Sequence, residues 1–305
     1  MLNSKLKTKN SKLIWLIGNK GMLGREVESL LQKETRGYIA SDQEIDITNL
    51  DELRIFSADK PISWIINCAA YTAVDKAEDE PYLAFKINAA GPRNIAEIAK
   101  NKGAKLIHLS TDYVFDGTKT GAYVETDPPH PLGVYGQSKY QGEVNIAETL
   151  SEYFIIRTAW LYGKQGNNFV HTMLRLFKER DEVSVVGDQY GSPTYAPDLA
   201  AVILKIISLN TNAYGIYNFT NEGKITWYDF AREIYRIYSL TKNSKLKTNN
   251  LKSICTKDYP TKTQRPQNSY LSKDKIAKTF NISPRNWEAA LNEFMSTIEI
   301  DCLAP

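Results

Sequence analysis

Leu13-Ile14-Trp15-Leu16-Ile17-Gly18-Asn19-Lys20-Gly21-Met22-Leu23-Gly24 is the stretch whose reading decides the fold. Its first half is a short apolar run of the kind that forms a buried strand. Its second half has a G-x-x-G-x-x-G spacing and opens a helix expected from about Gly24 to Gln32. Early glycines allow a tight turn and close approach of the backbone to a pyrophosphate, which rests on the unpaired N–H groups and positive dipole end of the helix. Gly24 lets helix and strand pack closely. Strand, glycine turn and helix in that order predict a dinucleotide-binding loop.

Outward from this loop, short β-type runs alternate with helical stretches. Strands are expected at Gly37 to Ala40, Trp64 to Ala70, Lys105 to Thr111 and Tyr153 to Tyr162, with helices around Leu50 to Ala58, Pro81 to Asn101 and Tyr135 to Leu150. That rhythm belongs to an α/β protein with a doubly wound parallel sheet. After about Gly163 the order loosens, with helices expected at Asp198 to Leu209, Thr226 to Leu240 and Asn286 to Glu299, while the polar segment Thr241 to Lys262 reads as loop. The 305 residues are 42% hydrophobic, enough for a sizeable core, and the net charge of +3 gives no reason to expect nucleic acid or an anionic membrane as partner. With neither a long apolar run nor a secretory h-region, the chain is placed in the cytoplasm. Cys68, Cys255 and Cys302 are scattered and outside any C-x-x-C spacing. His108, His130 and His171 are equally dispersed and read as structural or surface residues rather than metal ligands.

Beyond the loop, an acid at the end of the second strand would accept the ribose 2′-hydroxyl and favour NAD. Asp42 is the nearest candidate; Ser41 would instead tolerate a 2′-phosphate and Arg25 could pair with one, so NADH and NADPH both stay open. Asp46-Ile47-Thr48 reads either as a rim near the adenine or as a helix cap by Thr48 or Asn49. Tyr135 and Lys139, four residues apart at the start of a helix, share one face. The ammonium is expected to lower the phenol's proton affinity, so that the pair can deliver a proton to a carbonyl oxygen. Thr111, at the carboxyl end of a central strand, can hydrogen-bond the developing oxyanion. A hydrolase built from His108, Ser110 and Asp112 fails, because alternate residues of one strand are too far apart and wrongly aimed for a relay.

Together these residues resemble the dTDP-4-dehydrorhamnose reductases, extended short-chain dehydrogenases/reductases, from Leu13 to about Phe294. The resemblance rests on NCAAYTAVDKAEDEP (67–81), STDYVFDG (110–117), PLGVYGQSKYQGE (131–143), RTAWLYG (157–163), GNNFVHTMLRL (166–176), DQYGSPT (188–194) and RPQNSYL (265–271). It implies a Rossmann-like sheet with a smaller C-terminal substrate-binding domain. Residues 1–162 and a return segment at about 195–220 would bind NAD(P), and 163–194 with 221–305 the nucleotide sugar. It implies a catalytic triad of Thr111, Tyr135 and Lys139, with Gly18, Gly21, Met22, Leu23 and Gly24 at the pyrophosphate, Asp46 and Ile47 beside the adenine, and Ala69, Ala70 and Tyr71 on the path to the nicotinamide. Asp112 and Trp160 would meet the hexose, and Arg265 and Asn268 would lie near the nucleotide; a core aromatic and an ordinary surface arginine are the alternatives for Trp160 and Arg265. Some members carry Mg2+ between subunits; Glu26 matches one such position, but Ala196-Pro197-Asp198 departs from the acidic pattern and no metal is expected. The leader before Leu13 exceeds what the family shows. A dTDP-sugar is the implied partner, and a homodimer is left open. Sister dehydratases present Thr-Asp-Glu where this chain has Thr111-Asp112-Tyr113, which disfavours dehydration. An epimerase stays chemically compatible, and a non-catalytic regulatory subunit would have no reason to keep all three catalytic residues.

Overall fold

The structure, a computed structural model, describes residues 12–240 and 246–298. Six parallel strands form one sheet: β1 (Leu13–Ile17), β2 (Tyr38–Ser41), β3 (Ile62–Asn67), β4 (Lys105–Thr111), β5 (Tyr153–Thr158) and β6 (Gly215–Asn218), in the spatial order β6-β5-β4-β3-β1-β2. The winding direction reverses between β1 and β3, so their carboxyl ends open the crevice in which open α/β sheets bind ligands. Both faces of the sheet are covered, which explains why the strands read as continuous apolar runs. Ile14, Leu16, Trp64, Ile66, Ile107, Phe154 and Ile156 point to one side, against α1 (Met22–Lys33) and a helix over Ala196–Leu209. Trp15, Ile17, Ile65, Leu106 and Ile155 point to the other, against α2 (Leu50–Ser57), α3 (Gly91–Lys102) and α4 (Val134–Thr149). A separate apolar cluster gathers Val170, Leu174, Phe230, Ile234, Leu291 and Phe294 from the helices Phe169–Glu179, Trp227–Ser239 and Trp287–Thr297.

Three local departures from the sequence expectation have physical causes. Pro81 to Asn101 is not one regular helix: a π turn at Lys86–Ala90 separates Pro81–Phe85 from α3. Such turns insert one residue, leave the apolar periodicity nearly intact, and concentrate at functional sites. Tyr153 to Tyr162 is broken after Thr158, because Trp160 takes a left-handed backbone with φ 49°. The segment read as loop between Thr241 and Lys262 contains a strand, Asn250–Ile254, paired in parallel with Glu182–Val186; it is made by backbone pairing with little burial, so its composition conceals it. Of the two caps expected for α2, Asn49 takes the place, its side chain accepting from the Asp51 and Glu52 N–H groups. Residues 241–245 of the expected loop, Glu299 of the last helix, Cys302 and the leader as far as Ser11 lie outside the described residues.

Candidate active site

The glycine loop is built as its spacing requires. Gly18 has φ 79°, and a Cβ there would lie 2.6 Å from the Ala69 nitrogen; one on Gly24 would lie 2.0 Å from the Gly18 carbonyl oxygen. Side chains at these positions would push the loop off the sheet. Gly21 caps α1 without a side-chain hydrogen bond, and the first turn has no acid, so its N–H groups are available to an anion. Met22 and Leu23 begin the helix at this mouth, Leu23 buried. Asp42 accepts from the Lys20 N–H at 2.8 Å, Lys20 Nζ pairs with Glu44 at 3.1 Å, and Arg25 Nε donates to the Lys20 carbonyl at 2.9 Å. Acid and cations thus share the rim beside the loop. Asp46 folds its carboxylate onto the Thr48 N–H and hydroxyl, while Ile47 is buried against Gly91, where a Cβ would come within 2.7 Å of the isoleucine.

Across the crevice, β4 ends at Thr111, which is 5% exposed. The Tyr135 phenol lies beside the Thr111 hydroxyl, which favours its phenolate, and Thr111 Oγ1 donates to Asp112 Oδ1 at 2.9 Å. Asp112 is buried, and its Oδ2 has no hydrogen-bond partner among the described residues; burial raises its pKa to about 6. Tyr135 departs from expectation. Burial pushes its phenol upward and the neighbouring Thr111 hydroxyl opposes that shift, while no ammonium enters the balance. Lys139 Nζ instead donates to the Leu109 carbonyl at 2.6 Å, and burial lowers Lys139 to about 8. A phenol that keeps its proton is an acid, the form a ketone reduction consumes.

Helix α4 carries Tyr135 and Lys139, and its two internal glycines explain how closely it lies. A Cβ on Gly136 would sit 2.2 Å from the Tyr113 carbonyl oxygen, and one on Gly142 would sit 2.1 Å from that of Asn88. Asn88, in the π turn, accepts from the Tyr71 N–H at 2.8 Å and donates to the Tyr71 carbonyl at 3.0 Å and the Ser138 hydroxyl at 3.1 Å. It thereby ties the Ala69-Ala70-Tyr71 segment to the catalytic helix. Sequence reasoning passed over Asn88; glycines inside a helical pattern, which weaken a helix unless close packing requires them, were the available signal. It also passed over the fully buried Arg157–Glu143 pair, with Nη2 to Oε2 at 2.6 Å and Ser110 Oγ donating to Oε1 at 2.5 Å.

The sugar-side residues divide. Trp160, held left-handed, stacks on Trp227 with centroids 3.6 Å apart, and a Cβ on Gly191 would strike its ring at 2.7 Å. Asp112, Trp160, Trp227, Gln189 and Arg265 line one cleft. Arg265 bonds Asp75 at 2.7 Å and the Tyr113 hydroxyl at 3.3 Å, leaving it at the wall of that cleft rather than free on the surface. Asn268 is buried, with its amide nitrogen donating to the Lys119 and Gly121 carbonyls at 2.6 and 2.9 Å; its side chain fastens backbone. As for magnesium, Asp198 is already neutralised by Arg285 at 2.8 Å and receives the Asn221 amide at 2.6 Å, which does not fit a cation ligand, and no step is derived through a metal.

The chain is similar to known proteins over most of its length. Residues 12–300 match the family model described as RmlD substrate binding domain. A dTDP-4-dehydrorhamnose reductase of Aggregatibacter actinomycetemcomitans is 44% identical over 294 residues, covering 93% of this chain and 98% of that one. A crystal structure of such a reductase from Clostridium acetobutylicum superposes with a TM-score of 0.87 at 40% identity, over 93% of this chain and 98% of that one. One from Bacillus anthracis, in complex with NADP, gives 0.88 at 39% identity over 95% and 100%.

Proposed function

From the premise that this chain belongs to the dTDP-4-dehydrorhamnose reductase family, we propose that it reduces the C4 ketone of dTDP-4-dehydro-L-rhamnose to dTDP-L-rhamnose with NADPH or NADH. The observation that carries the reading is the Tyr135 phenol set beside the Thr111 hydroxyl at the end of β4, with Lys139 one helical turn on and the glycine loop opposite. The nicotinamide cofactor, when bound, supplies the hydride that reaches the carbonyl carbon. The residues do the rest. Gly18, Gly21, Met22, Leu23 and Gly24 hold the pyrophosphate; Asp46 and Ile47 flank the adenine; Ala69, Ala70 and Tyr71 line the path to the nicotinamide. Thr111 turns its single hydroxyl hydrogen from Asp112 to the carbonyl oxygen as charge develops, and Tyr135 gives that oxygen its phenolic proton. Asp112, with Oδ2 free to accept, takes a hexose hydroxyl, and Trp160 offers a flat apolar face to the ring. Arg265 directs its guanidinium toward the diphosphate, and Asn268 shapes the wall beside it. Holding the reacting groups in one geometry removes much of the entropic barrier.

The same reading assigns 1–162 with about 195–220 to the cofactor domain, and 163–194 with 221–305 to the nucleotide-sugar domain. A dTDP-sugar is the partner, nucleic acid and membrane are not, a homodimer stays open to test, and the cytoplasm is the compartment. Among the described residues no helix is long and apolar enough to cross a membrane. Tyr113 in place of an acid beside Asp112 supports reduction over dehydration. The deciding assay follows NADPH and NADH oxidation with the ketosugar for wild type and Tyr135→Phe, whose kcat is expected to fall 10²- to 10⁴-fold, the usual range for a positioned acid. Wild-type inactivity with both cofactors, or an undiminished variant, refutes the proposal.

A further inference from the structure

Beneath Lys139 lies a pair of buried polar side chains that the reaction as described leaves unused. Asn67 ends β3 and His108 sits beside it in register on β4; they are 1% and 0% exposed. The Asn67 carbonyl end is identified by its partner, because Oδ1 accepts from the Ala69 peptide N–H at 3.0 Å, and only an oxygen can do so. The other end, Nδ2, therefore faces His108 Nδ1, at 3.0 Å. An amide nitrogen only donates, so Nδ1 must be bare. The neutral ring then carries its hydrogen on Nε2, and Nε2 points at Lys139 Nζ, 3.5 Å away. An imidazolium would set its own Nδ1–H against the Asn67 amide, and burial also pushes His108 well below the ordinary histidine range.

An N–H therefore meets Lys139. An ammonium has no lone pair with which to accept it, whereas an amine has one. The distances agree: Nζ lies 2.6 Å from the Leu109 carbonyl, a true acceptor, but stands off at 3.5 Å from the imidazole. We propose that Asn67 and His108 are positioning residues that fix one imidazole tautomer, aim its N–H at Lys139 and so favour the amine form of that side chain. The other groups facing Lys139 do not supply this bias. Glu143, on the same helix, favours the ammonium and is itself engaged by Arg157 and Ser110. Cys68 stays a neutral thiol, its pKa pushed up to about 12 by burial.

The consequence, which rests on the reductase reading, concerns the proton after it leaves Tyr135. The phenolic O–H breaks as the sugar O–H forms, leaving a phenolate. An N–H of the Lys139 ammonium breaks to restore the phenol through an intervening water, since Nζ rests on the Leu109 carbonyl and not on the phenol, and the resulting amine accepts from His108 Nε2–H until water reprotonates it. His108 keeps its own proton throughout. A lysine eased toward the amine gives up its proton more readily at working pH.

Two variants and one spectroscopic readout test this. In Asn67→Asp the carboxylate accepts from both the Ala69 N–H and an Nδ1–H, reversing the tautomer so that Nε2 accepts from the ammonium. In His108→Gln the carbonyl end must face the Asn67 amide, so an N–H still faces Lys139. Long-range ¹H–¹⁵N spectra of histidine-labelled full-length protein, with His108→Gln identifying the signal, should show bare Nδ1 and protonated Nε2 from pH 6 to 9 in wild type, and the reverse in Asn67→Asp. The basic limb of kcat/KM should move up by about one pH unit in Asn67→Asp, because a lysine that holds its proton longer loses activity later, and stay within about 0.3 unit of wild type in His108→Gln. A wild-type ring protonated on Nδ1, a reversed ring without a moved limb, or a His108→Gln limb displaced as far as that of Asn67→Asp overturns the proposal. Should Asn67→Asp not fold, the wild-type spectrum and the His108→Gln limb still decide. A wild type with the expected tautomer and no ketosugar reduction sinks the reductase reading instead.

Discussion

Gly136 stands next to Tyr135, and replacing it with alanine should separate stability from catalysis. The added Cβ would lie 2.2 Å from the Tyr113 carbonyl oxygen and 3.0 Å from Pro131 Cβ, where ordinary contacts begin at 3.4 Å. Helix α4 or the segment after β4 must therefore yield by about 1.2 Å at the position that holds the proton donor against Thr111. Two stability effects oppose one another. Alanine gains up to about 1 kcal/mol over glycine inside a helix, while overpacking costs about 1–3 kcal/mol. The net destabilisation should thus be about 0–2 kcal/mol, which a folded protein survives. Geometry is less forgiving, since a misplacement of about 1 Å lowers rates on the order of 10²-fold. The expected result is a folded Gly136→Ala whose kcat falls by about 100-fold, measured by cofactor oxidation beside a denaturant titration. Gly121→Ala is the control, because the nearest atom to its Cβ, 4.0 Å away, is the flexible end of Lys119. Wild-type kcat in Gly136→Ala would refute the claim that this close approach sets the Tyr135 geometry.

Arg157 and Glu143 are 1% and 2% exposed, so Arg157→Met should strand a buried carboxylate and destabilise by about 3–5 kcal/mol, lowering Tm by roughly 5–10 °C. Arg157→Met with Glu143→Leu should recover most of that loss, and a single variant within 1 kcal/mol of wild type by chemical denaturation would contradict it. Asp112 tests linkage. Its folded pKa, about 6, lies above the ordinary aspartate value of 3.8, so its favourable contribution is complete below about pH 4 and is lost as pH rises through 6. Asp112→Asn should therefore gain on wild type by roughly 3 kcal/mol between pH 4 and 7, and a stability difference that stays flat across that window counts against the buried carboxyl.

What could be read in the sequence was whatever depends on spacing. The strands from Leu13 to Thr158 announced themselves because burial on both faces demands unbroken apolar runs, and Gly18 and Gly24 because close backbone approach tolerates no other residue. Tyr135 and Lys139 were visible as a helical pair for the same reason. The unread features depend on partners distant in the chain. Asn88 meets Tyr71 and Ser138 only because a π turn rotates it inward, and one inserted residue barely disturbs a helical pattern. His108 was one of three dispersed histidines until sheet register set it beside Asn67. The direction of the Lys139 ammonium was hidden more deeply still. Spacing puts it on the Tyr135 face, yet its shortest contact is the Leu109 carbonyl, a group every residue carries and no motif records. Catalytic identity therefore lies in side chains that a pattern can find. The proton affinity of those side chains is decided by backbone acceptors and burial, which only the folded chain brings together.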